Sequence, residues 1–335
     1  MTGMWAAVAL AIAYAFTNGL LGAANSIATL VATRAGRPAP AIALAAAGNV
    51  LGPLLFGAAV AQVVAGIVQV PSDQVVAVIG AALTSAVLWN ATAWRLRLPS
   101  SPGHALVGGL AGASLAAGGV DAVAWGPLDG WQPVGVGGVL LGLAIAAGAG
   151  FVVGFLLDRV LRWVFLRSTN RIRGPVRVTQ WVASGLVAFG QGANDGQKAI
   201  GLIAAVLLAE QRADSLDAPV WAGLACGVAL TIGAVLGGWP IVRTVGQRLV
   251  RLRPADSLAS QGSTVGVLLA STAMGAPVST TQIVASSVVG AGSGRRRRHH
   301  IRWPLVRGIV VAWVVTLPVC AVLAALALAP WSWLT

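Results

Sequence analysis

The feature that most constrains this chain is a succession of long apolar runs, separated by short loops that carry nearly all of its charge. A helix needs about 20 apolar residues to cross the hydrocarbon core of a bilayer. Helices also satisfy their own backbone hydrogen bonds in lipid. We therefore predict an all-α integral membrane protein with about ten membrane-traversing or re-entrant helical segments. These segments are 4–32, 39–70, 75–94, 98–117, 134–157, 178–209, 219–241, 257–273, 277–292 and 304–329.

The composition supports a membrane environment. Hydrophobic residues make up 57% of the chain and charged residues 9%, whereas a soluble domain carries about 25% charged residues. The 43 glycines suit close helix–helix contacts in lipid. No Lys or Arg precedes Arg34, so the first run lacks the charged start of a signal peptide and is expected to stay in the membrane.

The loop charges alternate along the chain between basic and acidic. Cytoplasmic loops are enriched in Lys and Arg, so the alternation predicts that both termini lie on the non-cytoplasmic side of the cell membrane. Of the arginines, Arg212 is the one that breaks this pattern. The net charge of +13 comes from short clusters between apolar runs, such as 295–298, and these indicate topological anchors rather than a nucleic-acid partner.

The same pattern predicts two repeats of inverted topology, a common plan for secondary transporters. The first repeat covers residues 1–165, a basic cytoplasmic linker covers 166–177, and the second repeat covers 178–335. Short matches support the repeat: Phe16 and Gly19 recur 173 positions later, and the Pro-x-Ser motif at 99–101 recurs 178 positions later. The shorter runs 98–117, 257–273 and 277–292 are either full crossings or re-entrant half-helices.

One acid and one base fall near the middle of the sixth run. Asp195 and Lys198, the chain's single lysine, are three residues apart and so share a helix face. Three glycines between 190 and 196 predict a weakened, unwound helix there. Ionisable residues at this depth are costly and mostly functional. We count Lys198 and Gln197 as candidates for binding an anion, and Asp195 and Asn194 as candidates for binding a cation. A buried Asp195–Lys198 pair that only fixes the fold is the alternative.

The first run contains a similar glycine-broken stretch at 16–26 that is rich in amides and has no charge. Neutral amide oxygens are cation ligands and amide nitrogens are donors. We assign Asn18 and Asn25 of this stretch to the cation as well. Hydrogen bonding between neighbouring helices is the alternative role for these side chains.

Two elements begin with proline followed by hydroxyl residues. Ser100 and Ser101 open the fourth run, and Ser279, Thr280 and Thr281 open the ninth. A helix start offers free backbone amides and the positive end of the helix dipole, which suits an anion. Ordinary N-capping explains one such element, but two at symmetry-related positions indicate a shared oxyanion site.

Together these stretches resemble the inorganic phosphate transporter family of secondary permeases. The most specific stretch is GANDGQK at 192–198, similar to the family's Gly-x-Asn-Asp signature. The opening motif at 16–28, the stretch 89–109, the PVSTT element at 277–281 and the last helix at 303–318 also resemble it, so the likeness spans almost the whole chain.

The resemblance implies phosphate import driven by a sodium or proton gradient, an inverted-repeat fold and a homodimer, without a cofactor. It assigns phosphate to Ser100, Ser101, Ser279, Thr280 and Thr281. It assigns the coupling ion to Asn25, Asn194 and Asp195. Two positions depart from the family pattern: Gly22 stands where an acid is usual, and Gln282 where a histidine is frequent. The repeat offset pairs Gly22 with Asp195, which leaves one of two expected charges missing.

Two alternatives remain open at the level of sequence. The same fold suits sulfate or another tetrahedral oxyanion, although sulfate at neutral pH has no proton to donate to a buried acid. A membrane sensor that does not transport belongs to another class, but no loop is long enough for a signalling domain. Catalysis is not expected, because Asp195, Lys198 and His104 are the available reactive groups and no triad or metal-ligand spacing accompanies them.

Overall fold

The computed structural model describes residues 1–98, 100–126, 128–129, 132–165, 173–243, 253–294 and 301–335. The regular secondary structure of these residues is almost entirely helical. One short hairpin has strands of two residues each, and in it β1 (Leu128–Asp129) pairs antiparallel with β2 (Gln132–Pro133). The α-helices are α1 Thr2–Ala32, α2 Pro38–Leu55, α3 Ala59–Ala65, α4 Ser72–Arg95, α5 Pro102–Gly118, α6 Gly135–Phe165, α7 Arg173–Gln191, α8 Gln197–Ala209, α9 Val220–Arg243, α10 Pro254–Ala273, α11 Thr280–Ser293 and α12 Trp303–Leu334.

Six of the described helices are long and apolar enough to cross a bilayer: α1, α2, α4, α6, α9 and α12. The chain is therefore a multi-pass membrane protein. By contrast, α5 and α11 have only 17 and 14 residues and are buried inside the protein along most of their length. The structure thus surrounds two short central helices with longer helices that face lipid.

Exposed tryptophans mark the two ends of the bundle. Tryptophan is enriched where a membrane protein meets the two membrane–water interfaces. One group lies near the termini and the other lies near the end of α6 and the start of α12. The first group is Trp5, Trp125, Trp221 and Trp333, and the second is Trp163 and Trp303.

Two of the predictions for these segments are wrong. Segment 39–70 is not one helix, because α2 ends after Pro53 and the chain turns at Gly57, which has a φ of +83°, before α3 begins. The stretch around 190–198 is not unwound: Gly192–Gly196 forms a π-helical turn between α7 and α8. Helix α7 begins at Arg173, five residues before the predicted start of its segment. Most of the predicted linker, residues 166–172, lies outside the described part, as do residues 295–300 and Pro99.

The two halves of the chain pack through matching pairs of helices. Helix α1 packs against α9, and α7 packs against α2. Helix α5 lies between α4 and α12, and α11 lies between α10 and α6. In the same way α12 packs on α4, and α6 packs on α10. Each half therefore contributes helices to contacts with the other half, in a reciprocal arrangement.

Glycines permit the closest of these crossings. A methyl group on Gly52 of α2 would collide with backbone atoms of Phe189 and Ala193, and one on Gly233 of α9 would collide with the backbone of Phe16. Small residues let helix backbones approach closely in a membrane. In the π-helical turn, Gly192 packs against α2 in this way, so the turn's glycines serve packing rather than unwinding.

Contacts between loops place the predicted basic loops at one end of the bundle and the predicted acidic loops at the other. At the basic end, Arg177 Nε donates to Ala35 O at 2.7 Å, which joins the start of α7 to the loop after α1. There too, Arg162 bridges Asp158 and Asp256 at 2.6 and 2.7 Å. At the other end, Gly3 lies against the C-terminus and Arg212 contacts Met1.

Candidate functional site

The N-termini of α5 and α11 meet at the centre of the protein. Ser101 caps α5 and accepts a hydrogen bond from His104 N, and Ser279 caps α11 and accepts one from Gln282 N. Both caps have nearly the same backbone angles, with φ of −109° and −104° and ψ of 108°. The Oγ of Ser101 donates to the Oγ of Ser279 at 2.9 Å. The two predicted hydroxyl elements are therefore brought together.

This meeting point favours negative charge. Each helix start carries free N–H groups and roughly half a positive charge from the helix dipole. The hydroxyls of Ser101 and Ser279 are buried there. Two helix N-termini that face one another across a pair of hydroxyls are suited to binding an oxyanion.

The acid and base of the π-helical region join the same cluster. Lys198 Nζ donates to Asp195 Oδ1 at 2.6 Å and to the carbonyl of Val278 at 2.5 Å. Thr280 Oγ1 donates to Asp195 Oδ2 at 3.1 Å. The predicted shared helix face is confirmed, and it connects α8 to the start of α11.

Asn194 anchors the segment that precedes α11. Its Nδ2 donates to Thr272 Oγ1 at 3.0 Å and to Ala276 O at 2.9 Å, and its Oδ1 accepts from Val278 N at 3.2 Å. The amide thus has partners on both atoms. In this conformation Asn194 fixes the position of residues 276–278, directly before the hydroxyl element.

The amide-rich stretch of α1 faces the same region from the other side. Asn25 Nδ2 donates to Thr281 Oγ1 at 3.3 Å. Several buried amides have no hydrogen-bond partner among the described residues, and such groups are candidates for binding a water, an ion or a substrate. These atoms include Asn18 Nδ2, both polar atoms of Gln191, and Gln282 Oε1.

Two residues predicted for phosphate have other contacts in this conformation. Ser100 Oγ accepts from Trp89 Nε1 at 2.8 Å and lies 3.0 Å from Thr316 Oγ1. Gln197 Oε1 accepts from the backbone N–H of Val60 at 3.0 Å. The first contact ties the start of α5 to α4 and α12, and the second ties α8 to α3.

Sequence reasoning gave too little weight to two residues at the site. His104 is not among the predicted binding residues, but its Nδ1 lies 2.7 Å from Ser101 Oγ. This contact places the imidazole of His104 beside the cap of α5. Tyr14 Oη donates to Pro102 O at 3.2 Å and so orients the start of α5. Tyr14 could have been found from the sequence, because it is the chain's one tyrosine and places a hydroxyl group inside an apolar run.

The cluster is closed to solvent. Ser101, Ser279, Thr280 and Lys198 are each at most 3% exposed, and Asp195 is 5% exposed. A solute therefore reaches these groups only when helices around them move. The described cluster is therefore occluded rather than open to either side.

Comparison with known proteins agrees with this geometry. The model of the Phosphate transporter family matches residues 18–178 and 167–324. A probable low-affinity inorganic phosphate transporter of Rhizobium meliloti is 38% identical over 95% of this chain and 93% of its own length. A protein with the same description from Bacillus subtilis is 33% identical over 96% and 94%.

More distant relatives cover the chain equally well. A putative phosphate permease of Thermococcus kodakarensis is 28% identical, with 96% of each chain covered. Among solved structures, one described as the sodium-dependent phosphate transporter superposes with a TM-score of 0.83 at 22% identity, covering 98% of this chain and 99% of its own. At that identity the superposition establishes the shared fold.

Proposed function

This chain belongs to the phosphate transporter family, and from that membership we propose that it imports inorganic phosphate across the cell membrane by cation-coupled symport. The observation that carries the proposal is the hydrogen bond between Ser101 and Ser279, the caps of two helices from opposite halves of the chain. Phosphate transport follows from the family. What we propose beyond this is that transport is coupled to a cation, which ion that is, and which residues bind the ion and phosphate.

Phosphate binds where α5 and α11 meet. The hydroxyls of Ser101, Ser279, Thr280 and Thr281 donate to its oxygens, and the ammonium of Lys198 offsets its charge. Hydrogen bonds to a charged acceptor are worth about 1.5–3 kcal/mol each, so three or four suffice to hold a small anion after it loses its water. Ser100 and Gln197, each occupied by a neighbouring helix, shape the site from its edge.

The coupling ion, sodium or a proton, binds beside phosphate among Asn18, Asn25, Asn194 and Asp195. Support for sodium comes from the solved relative, which is described as sodium-dependent. The unpartnered amides Asn18 and Gln191 support a site on the α1 side of the cluster. A bound cation and a bound phosphate attract each other, so each strengthens the binding of the other by the same factor.

Transport proceeds by alternating access between two inverted repeats, 1–165 and 178–335. The reciprocal packing of α1 on α9 and of α7 on α2 supports the repeat. Burial of the whole cluster supports an occluded state. Basic and acidic loops lie at opposite ends of the bundle, which supports termini on the non-cytoplasmic side. The protein acts as a homodimer.

The test is uptake of radiolabelled phosphate into proteoliposomes under an imposed sodium or proton gradient, with unlabelled sulfate as competitor. We expect accumulation that an excess of sulfate does not abolish, and the gradient that drives it identifies the ion. Abolition by sulfate would assign the protein to another oxyanion. Absence of accumulation under both gradients, with folded protein, would overturn symport and leave the sensor reading.

A further inference from the structure

The single lysine of the chain places its ammonium group among oxygen atoms of the kind that bind a metal cation. Lys198 Nζ contacts a carboxylate oxygen of Asp195 at 2.6 Å and the backbone carbonyl of Val278 at 2.5 Å. Oxygens of this kind, at helix breaks near the membrane midplane, are what transporters use to coordinate sodium. The ammonium is buried, so it is held there without competition from bulk water.

We propose that the Lys198 ammonium is a tethered cation that takes the place of a coupling sodium ion at Asp195, so that phosphate binding does not require sodium at that carboxylate. The inference rests on the proposed function and narrows it. Because a bound coupling ion strengthens phosphate binding, the inference selects the proton, rather than sodium, as that ion.

The charge of Asp195 acts directly on the phosphate cluster. Its second oxygen, Oδ2, accepts from Thr280 Oγ1 at 3.1 Å, and Thr280 follows the cap residue Ser279. Without a cation on Oδ1, this buried carboxylate repels an incoming oxyanion and withdraws one of its donors. The Lys198 ammonium neutralises the charge of Asp195. The ammonium also lies close to the start of α5, since a methyl group added at Gly103 would be 3.7 Å from Nζ. The ammonium is therefore central to both helix starts.

The first half of the chain has no carboxylate at the position that the repeat offset pairs with Asp195. That position is Gly22. A side chain there would meet the terminal amide of Gln191, a neutral group. Asp195 and Lys198 thus balance each other, and the site reaches neutrality without an added metal ion.

The test measures the affinity of the purified full-length protein for radiolabelled phosphate in sodium chloride and in choline chloride of equal ionic strength. Wild type is expected to bind equally, within about twofold, in both salts. Lys198→Ala leaves a buried carboxylate without its cation, so sodium is expected to tighten phosphate binding about tenfold or more and to raise the melting temperature. The double variant D195N/K198A removes the carboxylate and is expected to lose this sodium effect.

A control removes a partly exposed cation that pairs with buried carboxylates elsewhere. Arg162 pairs with Asp158 and Asp256 at the basic end of the bundle, and Arg162→Ala is expected to leave phosphate binding independent of sodium. The inference is overturned if wild-type affinity falls tenfold in choline, or if folded Lys198→Ala binds phosphate equally in both salts. If wild type binds no phosphate in either salt, the proposed function itself fails.

Discussion

Ser101 and Ser279 lie 178 residues apart in sequence, yet the hydroxyl of the first donates to the hydroxyl of the second at 2.9 Å. Each also caps its own helix. We expect Ser279→Ala to raise the KM for phosphate about 10- to 100-fold, because one hydrogen bond to a charged oxygen is worth about 1.5–3 kcal/mol. Loss of the cap costs about 1 kcal/mol of stability. Uptake kinetics and thermal unfolding in detergent measure the two effects separately.

The control for this prediction is a second buried serine pair. Ser287 Oγ donates to Ser263 Oγ at 3.1 Å between α11 and α10, away from the helix starts. Ser287→Ala is expected to change stability slightly and the KM hardly at all. Equal shifts in KM for Ser279→Ala and Ser287→Ala would refute the binding role of Ser279.

Asp195→Asn leaves the Lys198 ammonium buried without its carboxylate. Removing one partner of a buried ion pair costs about 3–5 kcal/mol, so the melting temperature is expected to fall. Phosphate then becomes the available counter-ion, and adding it should raise the melting temperature of the variant more than that of wild type. A thermal-shift series over phosphate concentration tests this, with chloride of equal ionic strength as reference. A variant that phosphate stabilises no more than wild type would contradict the prediction.

Asn194 is expected to act through the position of the α11 start. Asn194→Ala removes three hydrogen bonds and leaves the buried N–H of Val278 without its acceptor, at a cost of about 2–4 kcal/mol. The KM for phosphate should rise as well, since residues 276–278 lead directly into Ser279. Thr272→Val removes only one of these partners and should lower the melting temperature less. The reverse order of stability in the two variants would show that Asn194 does not anchor this segment.

The crossing of α2 and α7 depends on the absence of a side chain at Gly52. Gly52→Ala drives a methyl group into the backbone of Phe189 and Ala193, and overpacking of this kind costs about 1–3 kcal/mol. Gly148 in α6 has nothing within 4 Å of an added methyl group. Gly148→Ala should therefore be neutral or stabilising by about 0.5–1 kcal/mol. The melting temperatures of the two variants test this prediction. Equal melting temperatures would contradict the packing role of Gly52.

Much of the fold could be predicted from the lengths of the apolar runs and the positions of the charged residues. A bilayer sets the length of a spanning helix and confines most charged residues to the loops. The predicted segment 75–94 became α4, Ser72–Arg95, and 257–273 became α10, Pro254–Ala273. The break between α2 and α3 was missed because the apolar run continues through it. Only Pro53 and Gly57, with its φ of +83°, mark the turn, and neither interrupts the hydropathy.

The structure brings several of the predicted site residues together, but the sequence did not predict all of their contacts. Asp195 and Lys198 were paired correctly because their spacing of three residues brings them together even in the π-helical turn. Ser100 was grouped with Ser101 because the two are adjacent. However, Ser101 has an extended backbone, and successive side chains of extended backbone point to opposite sides. This geometry turns Ser100 toward Thr316, which no sequence spacing reveals.

Gly22→Asp tests whether the missing acid of the first half sets the ion requirement. The atom nearest to a new side chain is the terminal amide of Gln191, which can rotate away, so the variant is expected to fold. The new carboxylate would lie beside Asn25 with no basic partner, since Lys198 is already held by Asp195. Phosphate binding should then become dependent on sodium by about tenfold, because a buried charge requires a counter-ion. Gly22→Asn has nearly the same shape without the charge and should stay independent of sodium. The same sodium response in both variants would mean that steric disturbance, not charge, governs this position.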